Sequence, residues 1–207
     1  SCIVASGAII TSSLDEFEDM IKIHTMLSGK SISGNRIGIM SNAGFECSVV
    51  TDNLLQLELV EFDTDVLQKV SESIPSYAHA QNPVDATPMA NTEAYSSSVS
   101  AIVNSDGIDC AIISSVPVTP ALNNLPANPD SRLKEDLYAV GSQGHEFIRI
   151  IGKVDKPVVV VIDSGELYNP LAVMIAAAGI PVFRKIDRAS KALASFVRSQ
   201  LKNNLKG

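Results

Sequence analysis

Arg36-Ile37-Gly38-Ile39-Met40-Ser41-Asn42-Ala43-Gly44-Phe45 is the stretch from which the rest of the chain can be read. Ile37, Ile39 and Met40 form a short apolar run, the mark of a buried strand. Ser41, Asn42, Ala43 and Gly44 make a small polar turn. Beyond it, Phe45, Val49, Asp52 or Asn53, Leu54 and Leu57 recur near helical spacing, which predicts a helix with Phe45 and Val49 on its apolar face. Strand, small-residue turn and helix make the first unit of a wound α/β sheet, in which ligands sit at the carboxyl ends of the strands. A helix starting there directs unpaired N–H groups and the positive end of its dipole at whatever lies above it. The same spacing also serves a tight corner with no ligand, and the residues alone leave both readings open.

Composition agrees with such a sheet. The 207 residues are 45% hydrophobic and only 5% aromatic, with no Trp, so aliphatic side chains must fill the interior, as in parallel sheets. The net charge of −7, with both signs scattered, argues against nucleic acid or an anionic membrane as the main partner. No apolar run approaches the roughly 20 residues of a membrane span. The start of the chain lacks the basic flank of a signal peptide. Cys2, Cys47 and Cys110 show no metal-type spacing and read as reduced thiols, which implies a cytoplasmic protein. No metal site is expected.

Upstream of the organising unit, Ser13 to Glu16 forms a capping box. Leu14, Phe17, Ile21, His24 and Leu27 follow at helical spacing and place His24 near the buried stripe. Residues 28–34, SGKSISG, read as a linker. Downstream, a short strand lies near 57–62, and a helix capped by Thr64 buries Val66, Leu67, Val70 and Ile74 before Pro75. Residues 77–89 are a loop in which Asn82-Pro83 signals a turn and Asp85 is the one carboxylate. Asn91 caps the next helix. Residues 108–115, IDCAIISS, form a central strand that feeds the proline-rich loop 116–130; a loop of that length inside a compact domain is usually functional or disordered. Residues 131–153 read as mostly helical, with Leu133, Leu137, Val140, Phe147, Ile148 and Ile151 inward. PVVVVID at 157–163 is a buried parallel strand. A helix closed by Gly179, a last strand at 180–183 and a final helix capped by Asp187 complete the chain. Right-handed crossovers then favour five parallel strands in the order 2-1-3-4-5, a flavodoxin-like doubly wound α/β sheet. No GxGxxG, Walker lysine loop, nucleophile elbow, paired carboxylates or HExxH accompanies them, so no catalytic residue is assigned.

Four stretches carry a family resemblance: MSNAG at 40–44, NPVD at 82–85, DGIDCAIIS at 106–114 and AAAGIPVFRKIDRASKAL at 176–193. In this order they resemble the nucleoside-diphosphate-forming acyl-CoA synthetases, relatives of succinyl-CoA synthetase that include the ADP-forming acetate–CoA ligases. The resemblance implies that residues 35–207 are the second, succinyl-CoA synthetase-like flavodoxin domain. It implies that residues 1–34 are the end and linker of the preceding domain, and that the chain is a piece of a longer protein. It further implies a phosphohistidine relay that joins acid, CoA and nucleoside triphosphate. CoA, ATP and Mg would be used by the complete enzyme and none held by this piece alone. Its partners would be CoA-binding and phosphohistidine domains and an ATP-grasp module, in cis or as another subunit. His24, His79 and His145 do not match the phosphohistidine motif. Carried over residue by residue, Asn42, Ala43 and Gly44 fall on the family's substrate and phosphate turn, Asp85 on the NPVD loop, and Val116 and Pro117 on the other loop that approaches it. The family continues NAGGPG; Phe45 and Glu46 stand here instead, adding bulk and a like charge at the helix start. That departure keeps a second reading open, a non-catalytic regulatory or scaffold domain of a multidomain relative such as a protein acetyltransferase.

Overall fold

The structure is a computed structural model that describes residues 8–132 and 134–204. Cys2, Leu133 and the outer ends of the two terminal segments lie outside the described residues. Six strands form one parallel sheet: β1 (Arg36–Ser41), β2 (Glu58–Leu59), β3 (Val84–Asp85), β4 (Cys110–Ser115), β5 (Val158–Ile162) and β6 (Val182–Phe183). Among the described residues the α-helices are α1 (Leu14–Met26), α2 (Gly44–Asp52), α3 (Thr64–Ser73), α4 (Thr92–Val103), α5 (Gln143–Ile151), α6 (Asn169–Ala177) and α7 (Ile186–Asn204). The order β2-β1-β4-β5-β6 is the one expected of the five strands read from sequence, and β3 is an addition that pairs with β1.

Strand alternation divides the core in two. Met40, Ala111, Ile113, Val158, Val160 and Ile162 meet α3 to α6 on one face. Ile37, Ile39, Cys110, Ile112, Val159 and Val161 meet α1, α2 and α7 on the other. At the amino edge, Arg36 clasps Asp109 with two guanidinium bonds of 2.9 Å, and the Asp109 N–H donates to the Arg36 carbonyl at 2.8 Å. Burial opposes ionisation of Asp109, but the bonds from Arg36 and Ser33 outweigh it and hold the carboxyl below the usual range.

The free side of β1 is closed in three parts. β2 covers Arg36 and Ile37, and β3 covers Met40 and Ser41. Between them stands the side chain of Asn82, next to a cis Asn82–Pro83 bond. Its Nδ2 donates to the Ile37 carbonyl (2.7 Å) and the Val60 carbonyl (2.9 Å), and its Oδ1 accepts the Ile39 N–H (3.0 Å). A side-chain amide thus takes the place of a ladder peptide group.

Several expectations are corrected. Residues 77–89 are not all loop, because β3 lies within them; two residues are too short to show a period. The helix expected over 131–153 is confined to α5. Gly141 takes φ +88°, and Ser142 caps α5 by accepting the His145 N–H, so the helix begins at Gln143 and Val140 is left exposed. Asp63, not Thr64, caps α3 through the Val66 N–H. Asp187 lies in the first turn of α7 rather than before it. In α1 the inward face is Met20, Ile23 and Leu27, whereas Leu14, Phe17 and Ile21 face out. The reason is Asp19: Arg188 of α7 binds it at 2.8 and 3.1 Å and draws that side of the helix inward.

Asn82→Ala removes three hydrogen bonds, among them those to the Ile37 carbonyl and from the Ile39 N–H. The expected loss is about 2–4 kcal/mol, since an unpaired buried peptide group costs about 1–3 kcal/mol. Urea unfolding checks it, and a loss within experimental error would mean that water replaces the amide.

Candidate functional site

Every strand of a parallel sheet points the same way, so the ends of β1, β3 and β4 meet along one edge. There the chain turns from β1 into α2 through Ser41, Asn42 and Ala43. Ala43 is the N-cap residue and supplies no side-chain cap, so the N–H groups of Gly44 and Phe45 stand open, while the Glu46 N–H donates to the Ala43 carbonyl at 3.0 Å and the Ala43 N–H to the Ser41 hydroxyl at 3.1 Å. On one flank β3 delivers Asp85. A Cβ built on Gly44 would lie 3.0 Å from Asp85 Oδ2, so the carboxylate rests against the start of α2 and would have to shift slightly for a larger residue there. Asp85 Oδ1 accepts the Thr87 N–H at 2.9 Å, which fixes the carboxyl in place. Gly44, Cys47, Ser48, Gln81, Pro83 and Asp85 line a shallow concavity of about 470 Å³ beside it.

On the other flank Asn42 reaches the loop after β4. Its Nδ2 donates to the Val116 carbonyl at 3.0 Å and its Oδ1 accepts the Val116 N–H at 2.8 Å. Pro117 follows and is buried. The structure therefore brings Asn42, Ala43, Gly44, Asp85, Val116 and Pro117 to one place. The Asn42 side chain, almost wholly buried, is engaged in holding the two loops together. What remains open at the corner is backbone N–H, with a carboxylate beside it.

Below the turn lies a cluster not anticipated from sequence. The first-turn carboxyl of Glu46 was expected at the rim as a like charge. Instead Glu46 is fully buried and points under the turn. Its Oε2 accepts hydroxyl bonds from Ser114 (2.6 Å) and from Ser41, while Oε1 has no partner among the described residues. Ser114 is fixed in turn by the Tyr95 hydroxyl, which donates to its carbonyl. These contacts set the register of α2, so Glu46 and Val50 face inward and Phe45 stands exposed, one position away from the expected stripe. Burial pushes the Glu46 carboxyl above the usual range, against the pull of the two serine hydroxyls. Burial also raises the Cys47 thiol, to about 12, so it is no nucleophile at neutral pH.

The histidines stand apart from this corner. His24 packs edge-on against Phe196, with ring centroids 5.1 Å apart, and burial lowers its pKa. His79 is exposed, and His145 Nδ1 lies 3.1 Å from the Ser142 hydroxyl. No group of three or more His, Cys, Asp or Glu able to hold a metal occurs among the described residues. Nor is any helix among them long and apolar enough to cross a membrane.

Known proteins share both the sequence and the architecture. The ADP-forming acetate–CoA ligase II of Archaeoglobus fulgidus is 29% identical over 106 residues, which is 48% of this chain. About half of the chain is thus similar in sequence to an ADP-forming acetate–CoA ligase. No family model matches it. The acetyl-coenzyme A synthetase 1 of Ca. Korarchaeum cryptofilum, solved in complex with phosphate and ADP, superposes with a TM-score of 0.78 at 19% identity over 97% of this chain. PH0766 of Pyrococcus horikoshii OT3 superposes with a TM-score of 0.76 at 23% identity over 96% of it. The chain spans 16% of the length of the archaeal ligase and 40–42% of these two solved chains.

The buried Glu46 carboxyl has a pH consequence. The folded protein keeps this proton to higher pH than the unfolded chain does. The stability it contributes is therefore full at or below the ordinary carboxylate range and falls as pH rises through the raised value. Thermal unfolding from pH 5 upward should show that decline in the native protein. Glu46→Gln, which does not titrate, should show a flatter profile; parallel profiles would mean that Glu46 ionises normally.

Proposed function

We propose that this chain is the flavodoxin-like part of an ADP-forming acyl-CoA synthetase. Residues 35–207 form the domain itself, and residues 1–34 tie it to a preceding one. In the complete enzyme, acid, CoA and nucleoside triphosphate are exchanged for acyl-CoA, nucleoside diphosphate and phosphate through a phosphohistidine. The histidine, the CoA-binding domain and the ATP-grasp module, with ATP and Mg, come from other parts of the protein or from a second subunit, in the cytoplasm. Asn42, Ala43, Gly44, Asp85, Val116 and Pro117 form this domain's share of the substrate and phosphate site.

The observation that carries this reading is the convergence of the three matched motifs at one corner. MSNAG, NPVD and the loop after DGIDCAIIS meet where a helix starts without a side-chain cap. The ligase relationship supports the reaction class, and the neighbour solved with phosphate and ADP supports nucleotide use. Glu46 favours a second reading. A carboxyl buried beneath the turn, with exposed Phe45 above it, departs from the small residues of the family and suits a regulatory or scaffold domain that has lost turnover.

Two measurements test the proposal. The 207-residue chain alone should give no acid- and CoA-dependent hydrolysis of ATP and no stable phosphohistidine at His24, His79 or His145. Turnover or such labelling would overturn the domain assignment. In the complete polypeptide, Asp85→Asn should lower acid- and CoA-dependent ADP formation at least tenfold, about 1.4 kcal/mol of transition-state stabilisation. Unchanged activity would remove Asp85 from the site, and a complete polypeptide inactive with every acid tried would favour the regulatory reading.

A further inference from the structure

α1 is apolar on two sides. Met20, Ile23 and Leu27 are buried against the sheet and α7, whereas Leu14, Phe17 and Ile21 point to solvent and are 81%, 51% and 52% exposed. The exposed three lie at i, i+3 and i+7, one above another on a single face. Ile10, 62% exposed, precedes them. A helix on the surface of a finished domain presents a polar outer face. α3 does so, with Asp65, Gln68, Lys69 and Glu72 outward. On α1 an apolar stripe runs along the outer face, with exposed Glu18 and Thr25 beside it.

The area is sufficient for a partner, and the length of the solved neighbours points to which kind. The four side chains expose roughly 500 Å² at ordinary side-chain sizes. One side of a standard interface buries about 800 Å² in all, a little over half of it apolar, so these side chains carry the apolar area of one such side. Domains tethered within one chain use about 600–1,500 Å² counted over both sides, because the tether supplies a high effective concentration. The two solved neighbours match 96–97% of this chain, which fills only 40–42% of theirs, so they carry α1 within a polypeptide more than twice as long.

We propose that the Ile10-Leu14-Phe17-Ile21 face is the docking surface for another folded domain of the same polypeptide, one that presents an apolar groove to α1. This rests on the reading that the chain belongs to a longer ligase, and it names the surface by which the domain is held there.

Thiol footprinting tests it. Ile21→Cys is placed in the 207-residue chain and in the polypeptide that contains it, and N-ethylmaleimide modification is located by mass spectrometry. Val140→Cys, at an exposed position in the loop before α5, is the control. Modification at position 21 should be rapid in the 207-residue chain and at least tenfold slower in the longer polypeptide, with position 140 unchanged. Phe17→Cys should behave as Ile21→Cys does. Equal rates at position 21 in the two proteins overturn the proposal. So does protection in the 207-residue chain together with dimeric sedimentation, which would assign the face to a second copy. So does a reading frame that adds no folded domain. Ligase activity is scored separately: protection in an inactive polypeptide refutes the enzyme reading and leaves this surface standing, and the reverse result does the opposite.

Discussion

β1 is hydrogen-bonded on both edges, and two side-chain amides, one beside the strand and one just past its end, stand in for peptide groups there. Asn82 bridges the gap between β2 and β3 on one edge, and Asn42 extends the pairing toward the loop after β4 on the other. The rest of the structure depends on this. β2 and β3 are two residues long and could not cover β1 by themselves. With Asn82 between them they close it, and β3 then carries Asp85 to the start of α2. Asn42 brings Val116 and Pro117 to the same corner. The two asparagines thus shape both the central strand and the candidate site, which is why that site is built on main-chain atoms and has few free side chains.

The region under the corner shows a second constraint. Glu46 is lodged between Ser41 and Ser114 at the ends of β1 and β4, and its position fixes the rotation of α2. A buried carboxyl with one oxygen unpaired works against stability at neutral pH, and such groups are common where a protein holds polar atoms for use. Here it lies beneath the start of α2, where Asp85 rests against Gly44. Any anion entering the corner meets the dipole end of α2 in the company of two carboxyls, that of Asp85 beside it and that of Glu46 buried beneath it.

Much of the fold was legible because long elements carry strong periods. β4 and β5 are apolar runs bounded by turn residues, and they appear where their sequences place them. The cap at Asn91 and the αL glycine at Gly179 were legible because their chemistry is local. The remainder was set by contacts distant in sequence. β3 gives no signal of its own and exists through its pairing with Met40 and Ser41. The facing of α1 depends on Arg188, more than 160 residues away, and that of α2 on Ser114. At the candidate site the residues were legible as motifs, but their roles were not. Nothing local shows that the Asn42 side chain is engaged with Val116 or that Glu46 turns inward.

The central claim is that the corner formed by residues 42–44, Asp85 and Val116 receives an anion on the open N–H groups of α2. The most direct measurement is a titration of the ¹⁵N-labelled 207-residue chain with inorganic phosphate, followed by amide chemical shifts. The dipole at an exposed helix start contributes only about 0.3–1 kcal/mol, so the expected binding is weak, in the millimolar range. The account predicts saturable shifts concentrated on Gly44 and Phe45, whose N–H groups are open, and enlarged in Asp85→Asn. Shifts elsewhere while these amides stay fixed would contradict it, and would reduce the turn to a structural corner.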